Sequence, residues 1–144
     1  MTMLHISRSF KVHLSITHPD IDPAEISQAI GLSPRRTTRA GAPRTTPKGA
    51  PLPGTYKFSH WKCDFDVRGA SELGAILEDL VERLQAQRRF FQRMVQEGGA
   101  VELFCGVFAD GNWDEVISHM LMGRLASLNI DVRLDVYPKE DAKA

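Results

Sequence analysis

Five side chains that could bind a ligand or take part in a reaction lie in or just after a stretch that is rich in glycine, proline and basic residues. They are Arg35, Arg36, Arg39, His60 and Trp61. Guanidinium groups bind phosphate and carboxylate oxygens through paired hydrogen bonds, and a tryptophan can stack on a flat ring. This set therefore predicts a site for a small anionic or nucleotide-like ligand. The alternatives are a solvated loop for the arginines and core packing for Trp61, because its register with Cys63 and Phe65 points it inward.

Metal and nucleophile chemistry finds little support in the sequence. His60 and Cys63 have the spacing of half a zinc site, but no second pair of ligands follows at a usable distance. Cys63 and Cys105 are the only cysteines, and both fall on the apolar side of strand-like runs, where a thiol is normally a buried hydrophobe. We therefore predict no metal, no cofactor and no catalytic residue.

A second candidate surface lies on the run from Val101 to Phe108, which is apolar on both faces. Phe104 and Phe108 share a face with His13 and would be exposed if the back of the sheet were bare. Contiguous exposed apolar surface usually marks an interaction site. This pattern predicts a homodimer through the sheet face, unless the terminal helix or the long loop covers these rings.

The bulk composition describes one ordinary domain. The chain has 144 residues and a formal net charge of zero, so residues 1–144 are predicted to form one domain with an ordered core at 9–137. Residues 40–54 read as a Gly/Pro-rich loop and residues 138–144 as a loose tail. Balanced charge gives no general attraction to nucleic acid. The N-terminus shows no signal peptide and no segment is apolar enough to span a membrane, so we predict a cytoplasmic protein.

The first elements carry clear local signals. Strict alternation from Phe10 to Thr17 predicts a half-buried strand. Asp22 and Pro23 then predict the start of a helix, with Glu25 reaching back to the cap, and Gly31 predicts its end.

The middle of the chain is harder to divide. Residues 35–54 predict a long loop, with a short strand near Thr37 to Ala40. A strand follows from Tyr56, and a bulge or bend near His60 would reconcile its two halves. A long helix is predicted from Ser71 until Gly98 and Gly99.

The last elements are predicted from apolar spacing. A helix is expected from Trp113 to Leu128, with Asn129 as a left-handed stop. Its predicted buried stripe is Val116, Met120, Leu121, Leu125 and Leu128. A final strand from Asp131 to Tyr137 is expected to turn Val132, Leu134 and Val136 inward.

The order of these elements predicts an α+β fold. Counting the edge strand, the first six elements match a ferredoxin-like βαββαβ arrangement, with helices on one face of an antiparallel sheet. A further α-β unit follows at the C-terminus.

Several segments together resemble a known family. They are Phe10 to Pro19, Asp22 to Ile26, Gly31 to Pro34, Trp61 and Leu134 to Tyr137. This set resembles DUF4279, a bacterial domain family of unknown function, over nearly the whole chain. The resemblance implies an α+β fold and supplies no activity or catalytic residue.

Three functions remain open on the sequence. The first is a non-catalytic binding or protein-interaction module, because no nucleophile, base and orienting group converge. The second is an enzyme or binder acting on a phosphorylated or nucleotide-like ligand, with Arg35 and Arg36 as the anion clamp and His60 as general acid or base. The third, nucleic-acid binding, would combine the basic loop with the long helix and is disfavoured by the balanced charge.

Overall fold

The computed structural model describes residues 8–138, which contain seven strands and several helices. The strands are β1 (Arg8–His18), β2 (Arg36–Thr38), β3 (Pro43–Thr45), β4 (Pro51–Thr55), β5 (Ser59–Phe65), β6 (Ala100–Ala109) and β7 (Ile130–Pro138). The helices are α1 (Pro23–Ile30), α2 (Leu73–Leu84), α3 (Arg88–Gln96) and α4 (His119–Ser127).

Five of the described strands form the main sheet, in the order β2-β5-β1-β6-β7. β1 is antiparallel to β5 and β6, β2 is antiparallel to β5, and β7 is parallel to β6. β3 and β4 pair separately as a hairpin. The predicted α+β class is confirmed, with a mostly antiparallel sheet.

The core lies between the helices and one face of this sheet. Phe10, Val12, Leu14 and Ile16 of β1 are buried there, as their alternation predicted. The same core cluster contains the buried stripes of all the helices named above. Each buried leucine or isoleucine contributes about 1.5–3 kcal/mol relative to exposure. We call the opposite side of the main sheet the open face. Its side chains include His13, Ser15, Thr17, His60, Lys62, Glu102, Phe104, Phe108, Arg133 and Tyr137.

Helix α1 follows its local sequence signals with one exception. The Asp22 carboxylate accepts a hydrogen bond from the Ala24 amide at 3.0 Å, and Gly31 ends the helix with φ of 77°. Glu25 was predicted to reach back to the cap, and this detail is wrong. Its carboxylate binds the Arg93 guanidinium at 2.5 Å, because helix α3 brings a full positive charge alongside it.

The predicted loop of residues 35–54 contains more structure than expected. Its short strand is present as β2, and the hairpin β3-β4 occupies most of the remainder. The Tyr56 hydroxyl closes this hairpin by accepting from the Thr45 amide at 3.1 Å and donating to the Thr45 carbonyl at 3.2 Å. The chain bends at Lys57 and Phe58, and β5 then pairs with β1 without a register shift. The strand therefore needs no bulge at His60.

The single long helix predicted from Ser71 to Gly98 is wrong. Helix α2 ends at Leu84, a short 3₁₀ turn covers Gln85–Gln87, and α3 starts at Arg88. A continuous helix would have placed Gln87 and Arg88 on its core side. Because neither is apolar, the chain turns and resumes a buried stripe with Phe91 and Met94.

The helix predicted from Trp113 is wrong in its first half. Helix α4 begins only at His119, because the preceding segment is used to cap α2. Both oxygens of Glu115 accept hydrogen bonds from the first amides of that helix, from Leu73 at 2.9 Å and from Gly74. The Trp113 indole also donates to Glu115, at 3.3 Å.

The buried stripe of α4 is correspondingly shorter than predicted. Leu121, Leu125 and Leu128 are buried as expected, whereas Val116 and Met120 are exposed. Asn129 has φ of 59° and provides the left-handed stop that was predicted.

The final strand has the predicted alternation but not the predicted burial. Val132, Leu134 and Val136 align with Leu103, Cys105 and Val107 of β6 on the helix side. They are nevertheless 37%, 48% and 52% exposed, because β7 is the outermost strand and α4 covers it only in part. Of the predicted loose tail, Pro138 ends β7 and residues 139–144 lie outside the described residues, as do residues 1–7.

Candidate functional site

A cleft of about 380 Å³ opens on the open face at the β2 side of the main sheet. We call it the basic cleft. Its lining combines basic, hydroxyl and aromatic side chains: Thr17, Arg36, Thr38, Tyr56, Lys57, Phe58, His60 and Lys62.

The strand register gathers these side chains. Arg36 lies directly across from Lys62, and Thr38 lies across from His60, in the pairing of β2 with β5. On the other side of β5, Thr17 of β1 also lies across from His60. Opposed residues of antiparallel strands point to the same face, so all of these groups project into one place.

The basic cleft is positively charged and lacks internal compensation. Among the described residues, Arg36, Lys57 and Lys62 form no ion pair with a carboxylate. Like charges placed directly opposite each other on paired strands are destabilising. An anion bound between Arg36 and Lys62 would remove this repulsion.

His60 lines the cleft and has a lowered pKa. Burial lowers its pKa below the ordinary value, and the positive charges of Lys62 and Arg36 lower it further. Its Nε2 lies 3.0 Å from the Ser15 hydroxyl. The nearby Glu102 carboxylate opposes this shift of the pKa only weakly, since it is bound to Arg133 at 2.9 Å. His60 is therefore poised to take up a proton when negative charge arrives.

Two of the five sequence-predicted ligand residues, Arg36 and His60, line the basic cleft. Arg35 instead binds Asp64, with Nε 2.6 Å from a carboxylate oxygen, and lines a separate recess. Arg39 binds Asp22 at 3.3 Å near the start of α1.

Trp61 lies on the other side of the sheet. It is fully buried among the core residues, and its indole N–H donates to the Ser27 hydroxyl of α1 at 2.9 Å. Its placement is the core packing that the strand register favoured, and its ring does not face the basic cleft.

The three predicted interface residues all lie on the open face. His13 stacks on Phe104 with ring centres 4.6 Å apart, and Phe108 stacks on Tyr137 at 4.9 Å. Stacking covers these rings only in part, since all four remain at least partly exposed, and no residue of α4 or of the hairpin lines the recess beside them. They border a shallow recess of about 830 Å³ that also contains Arg35.

The two cysteine thiols are poorly suited to act as nucleophiles. Burial raises the pKa of Cys105 to about 12, and burial also raises the pKa of Cys63. A thiolate nucleophile needs the opposite shift. Within residues 8–138, no three His, Cys, Asp or Glu side chains gather closely enough to hold a metal ion.

Sequence reasoning missed Lys57, Phe58 and Lys62 as cleft residues. The sequence did carry a signal for Lys57 and Phe58, because residues 56–60 break the alternation of the following strand. That break marks the bend that lifts Tyr56 to Phe58 over the open face. The pairing of Lys62 with Arg36 had no local signal, since it depends on strand order.

Comparison with known proteins adds a family but no activity. No helix in residues 8–138 has the length and apolar character needed to cross a membrane. Neither the curated proteins nor the solved structures gave a match. A family model described as "Domain of unknown function (DUF4279)" matches residues 8–139, which confirms the resemblance carried by β1, α1 and Trp61. The chain therefore belongs to the DUF4279 family of domains of unknown function.

Proposed function

We propose that this domain is a non-catalytic binding module that holds a small anionic ligand with a flat ring in the basic cleft. The observation that carries the proposal is the opposed pair Arg36 and Lys62, which has no carboxylate partner among the described residues. By contrast, Arg35 and Arg39 nearby are each neutralised by an aspartate. Unpaired cations in a cleft are available to bind an anion.

The size and lining of the basic cleft are consistent with a ligand that contains a flat ring. Its volume of about 380 Å³ falls in the range that small-molecule sites occupy. Phe58 lines the cleft and is 60% exposed, so its ring is accessible to a ligand. Stacking of a base on an exposed aromatic side chain contributes about 1–3 kcal/mol. A nucleoside monophosphate combines the two chemistries.

Calorimetric titration with adenosine monophosphate and with inorganic phosphate tests this proposal. Arg36→Gln and Lys62→Gln are each expected to weaken binding about tenfold, which corresponds to about 1.4 kcal/mol. Phe58→Ala is expected to weaken the nucleotide and leave phosphate unchanged.

Arg44→Gln is the matched control, because it removes the same charge from the hairpin, where Arg44 donates to the Pro53 carbonyl at 3.2 Å. Equal affinities in all three cation variants would contradict the proposal, as would the failure of the wild-type protein to bind either probe.

The competing proposal is an enzyme acting on a phosphorylated or nucleotide-like ligand. The contact between the Ser15 hydroxyl and His60 Nε2 favours it, since a hydroxyl beside a neutral imidazole is the usual start of an activated nucleophile. Arg36 would act as the anion clamp without Arg35, which is bound to Asp64. Hydrolysis of p-nitrophenyl phosphate that disappears in His60→Asn would replace the binding proposal with this one.

The finer fold assignment also belongs among the proposals. The order β2-β5-β1-β6, with α1 between β1 and β2 and with α2 and α3 between β5 and β6, supports a ferredoxin-like arrangement. The unit α4-β7 is then the C-terminal addition. A cytoplasmic location is supported by the two free, buried cysteines, since reducing compartments keep thiols unpaired.

Partners are proposed on the same footing. A homodimer has two candidate surfaces, the open face with His13, Phe104 and Phe108 and the outer edge of β7. The ring stacks support the first surface, and exposed apolar side chains support the second. Nucleic-acid binding is the weakest proposal, because Arg93 of α3, which lies within the long helix predicted from the sequence, is already bound to Glu25 and Glu97.

A further inference from the structure

The outer edge of β7 is long, regular and unprotected. The strand has nine residues and pairs with β6 in an unbroken register, and its other edge has no partner among the described residues. An edge strand presents a row of unpaired amides and carbonyls to solvent. Proteins usually block such rows with a bulge, a proline or an inward-pointing charge. In β7 the only proline is Pro138, its last residue.

The helix side of this edge is apolar. Val132, Leu134 and Val136 point to that side and are each between about one third and one half exposed. A long exposed apolar edge is a surface for strand addition. Arg133 and Asp135 lie between these three residues, and their charges determine which strand can pair with this edge.

The charges of β7 are self-complementary in one register. If β7 pairs antiparallel with a second β7 about a two-fold axis at Leu134, then Val132 faces the partner's Val136. Arg133 then faces the partner's Asp135, and each such pair occurs twice. Opposite charges on directly opposed residues stabilise antiparallel strands.

Neighbouring registers lose this match. With the axis at Arg133, Asp131 would face the partner's Asp135, which is repulsive. With the axis at Asp135, Arg133 would face the partner's Tyr137, and the ion pair would be lost.

Two side-chain contacts hold the charges in place. Arg133 binds Glu102 at 2.9 Å, and Asp135 accepts a hydrogen bond from the Tyr137 hydroxyl. Both side chains therefore lie on the open face beside the outer edge, where pairing across the two-fold axis adds to or replaces these contacts within the chain.

We infer that β7 pairs antiparallel with β7 of a second copy of this chain, centred on Leu134. A two-fold axis perpendicular to the sheet keeps the helices of both copies on the same side, so the two main sheets become one continuous sheet. The contact is isologous, which closes the assembly at a dimer. This surface is distinct from the basic cleft, which lies at the opposite edge of the main sheet.

Sedimentation equilibrium over a concentration series, with the full chain, tests this inference. The wild-type protein is expected to dimerise. Asp135→Arg sets arginine against arginine twice and is expected to weaken the dimer at least about tenfold. Arg133→Asp sets aspartate against aspartate and is expected to do the same. The double variant R133D/D135R restores opposite charges in reversed order and is expected to recover the dimer.

Asp20→Arg is the matched control, because it makes the same charge change at an exposed turn between β1 and α1. Circular dichroism confirms that each variant is folded, and Asp135→Arg is the cleaner single variant because it leaves the Arg133 contact with Glu102 intact.

Three results would overturn the inference. They are a monomeric wild-type protein, a dimer unaffected by Asp135→Arg, and a folded double variant that stays monomeric. A dimer that survives the charge variants but is lost in Phe104→Ala or Phe108→Ala would place the second copy on the open face instead. Phosphate binding at the basic cleft is expected to be unchanged in Asp135→Arg, so the failure of one proposal is separable from the failure of the other.

Discussion

The two edges of the main sheet differ in length, in chemistry and in what they expose. At one edge, β2 has three residues and carries Arg36 and Thr38 toward the basic cleft. At the other edge, β7 has nine residues and exposes an apolar row beside a self-complementary pair of charges. A short polar edge displays side chains to a small ligand, whereas a long apolar edge offers its backbone to another strand. The two binding proposals therefore use separate edges of one sheet.

The largest expected effect comes from the core behind the β2 edge. Trp61→Ala removes a fully buried side chain and its hydrogen bond to Ser27. We expect a loss of about 3–5 kcal/mol in the free energy of unfolding, measured by urea denaturation. Phe58→Ala, an exposed aromatic of the same neighbourhood, is expected to cost far less. Similar losses for both would mean that Trp61 does not anchor β5 to α1.

A smaller effect is expected from the segment before α4, which caps α2. Glu115→Ala removes the carboxylate that caps α2 through the Leu73 and Gly74 amides. Loss of a helix cap costs about 1–2 kcal/mol, again measured as unfolding free energy. The exposed neighbour substitution Asp114→Asn is the control and is expected to have little effect. An unchanged stability in Glu115→Ala would show that the carboxylate does not stabilise the start of α2.

The turn between α4 and β7 gives a third prediction. Asn129 has a positive φ of 59°, a conformation that costs most residues about 1 kcal/mol. Asn129→Ala is expected to lower the unfolding free energy by about 1 kcal/mol, while Asn129→Gly should leave it nearly unchanged. Thermal denaturation followed by circular dichroism measures both. An alanine variant as stable as the wild-type protein would mean that the turn into β7 does not depend on the positive φ at this residue.

The smallest effect concerns protonation at the β2 edge. The pKa of His60 is lowered in the free protein by burial, Lys62 and Arg36, and a bound anion would raise it. Anion binding is therefore coupled to proton uptake, and affinity should increase as the pH falls through the window below about 6.5. Sulfate is a suitable probe because its own charge does not change there. We expect the affinity for sulfate to rise about threefold between pH 7 and pH 5.5. This corresponds to an increase of the His60 pKa by less than one unit when sulfate binds.

The His60→Asn variant tests the origin of this pH dependence. Its sulfate affinity should not vary over the same range. A persistent pH dependence in His60→Asn would assign the proton to another group.

Elements whose signals are local were predictable from the sequence. The alternation of β1 and the cap and stop of α1 depend only on side chains within a few residues, and the structure has both. Of the two helix predictions that failed, the one for the helix starting at Trp113 depended on a distant partner. The segment around Glu115 has helical apolar spacing, but its carboxylate is used on α2, 41 residues away in the chain.

The residues of the candidate site also fall into two groups, those that the sequence indicates and those that only strand pairing brings together. Arg36 and His60 are among the residues chosen from residue type in and after the Gly/Pro-rich stretch. Residue type could not separate Arg36 from Arg35 and Arg39, which are paired with aspartates. The neighbouring Lys62 could not be chosen in this way, since only the pairing of β2 with β5 places it across from Arg36. Trp61 illustrates the converse, because its register already indicated that it faces the core.

The sequence by itself determined which residues alternate, where α1 begins and ends, and which family the chain resembles, because these depend on short-range patterns. The tertiary structure alone decided that the Val132, Leu134 and Val136 row is left exposed and that Arg36 faces Lys62. Both outcomes follow from strand order, which places β7 and β2 at the two edges of the main sheet. A strand's own residues specify which side chains share a face, but only its neighbours determine whether that face is covered.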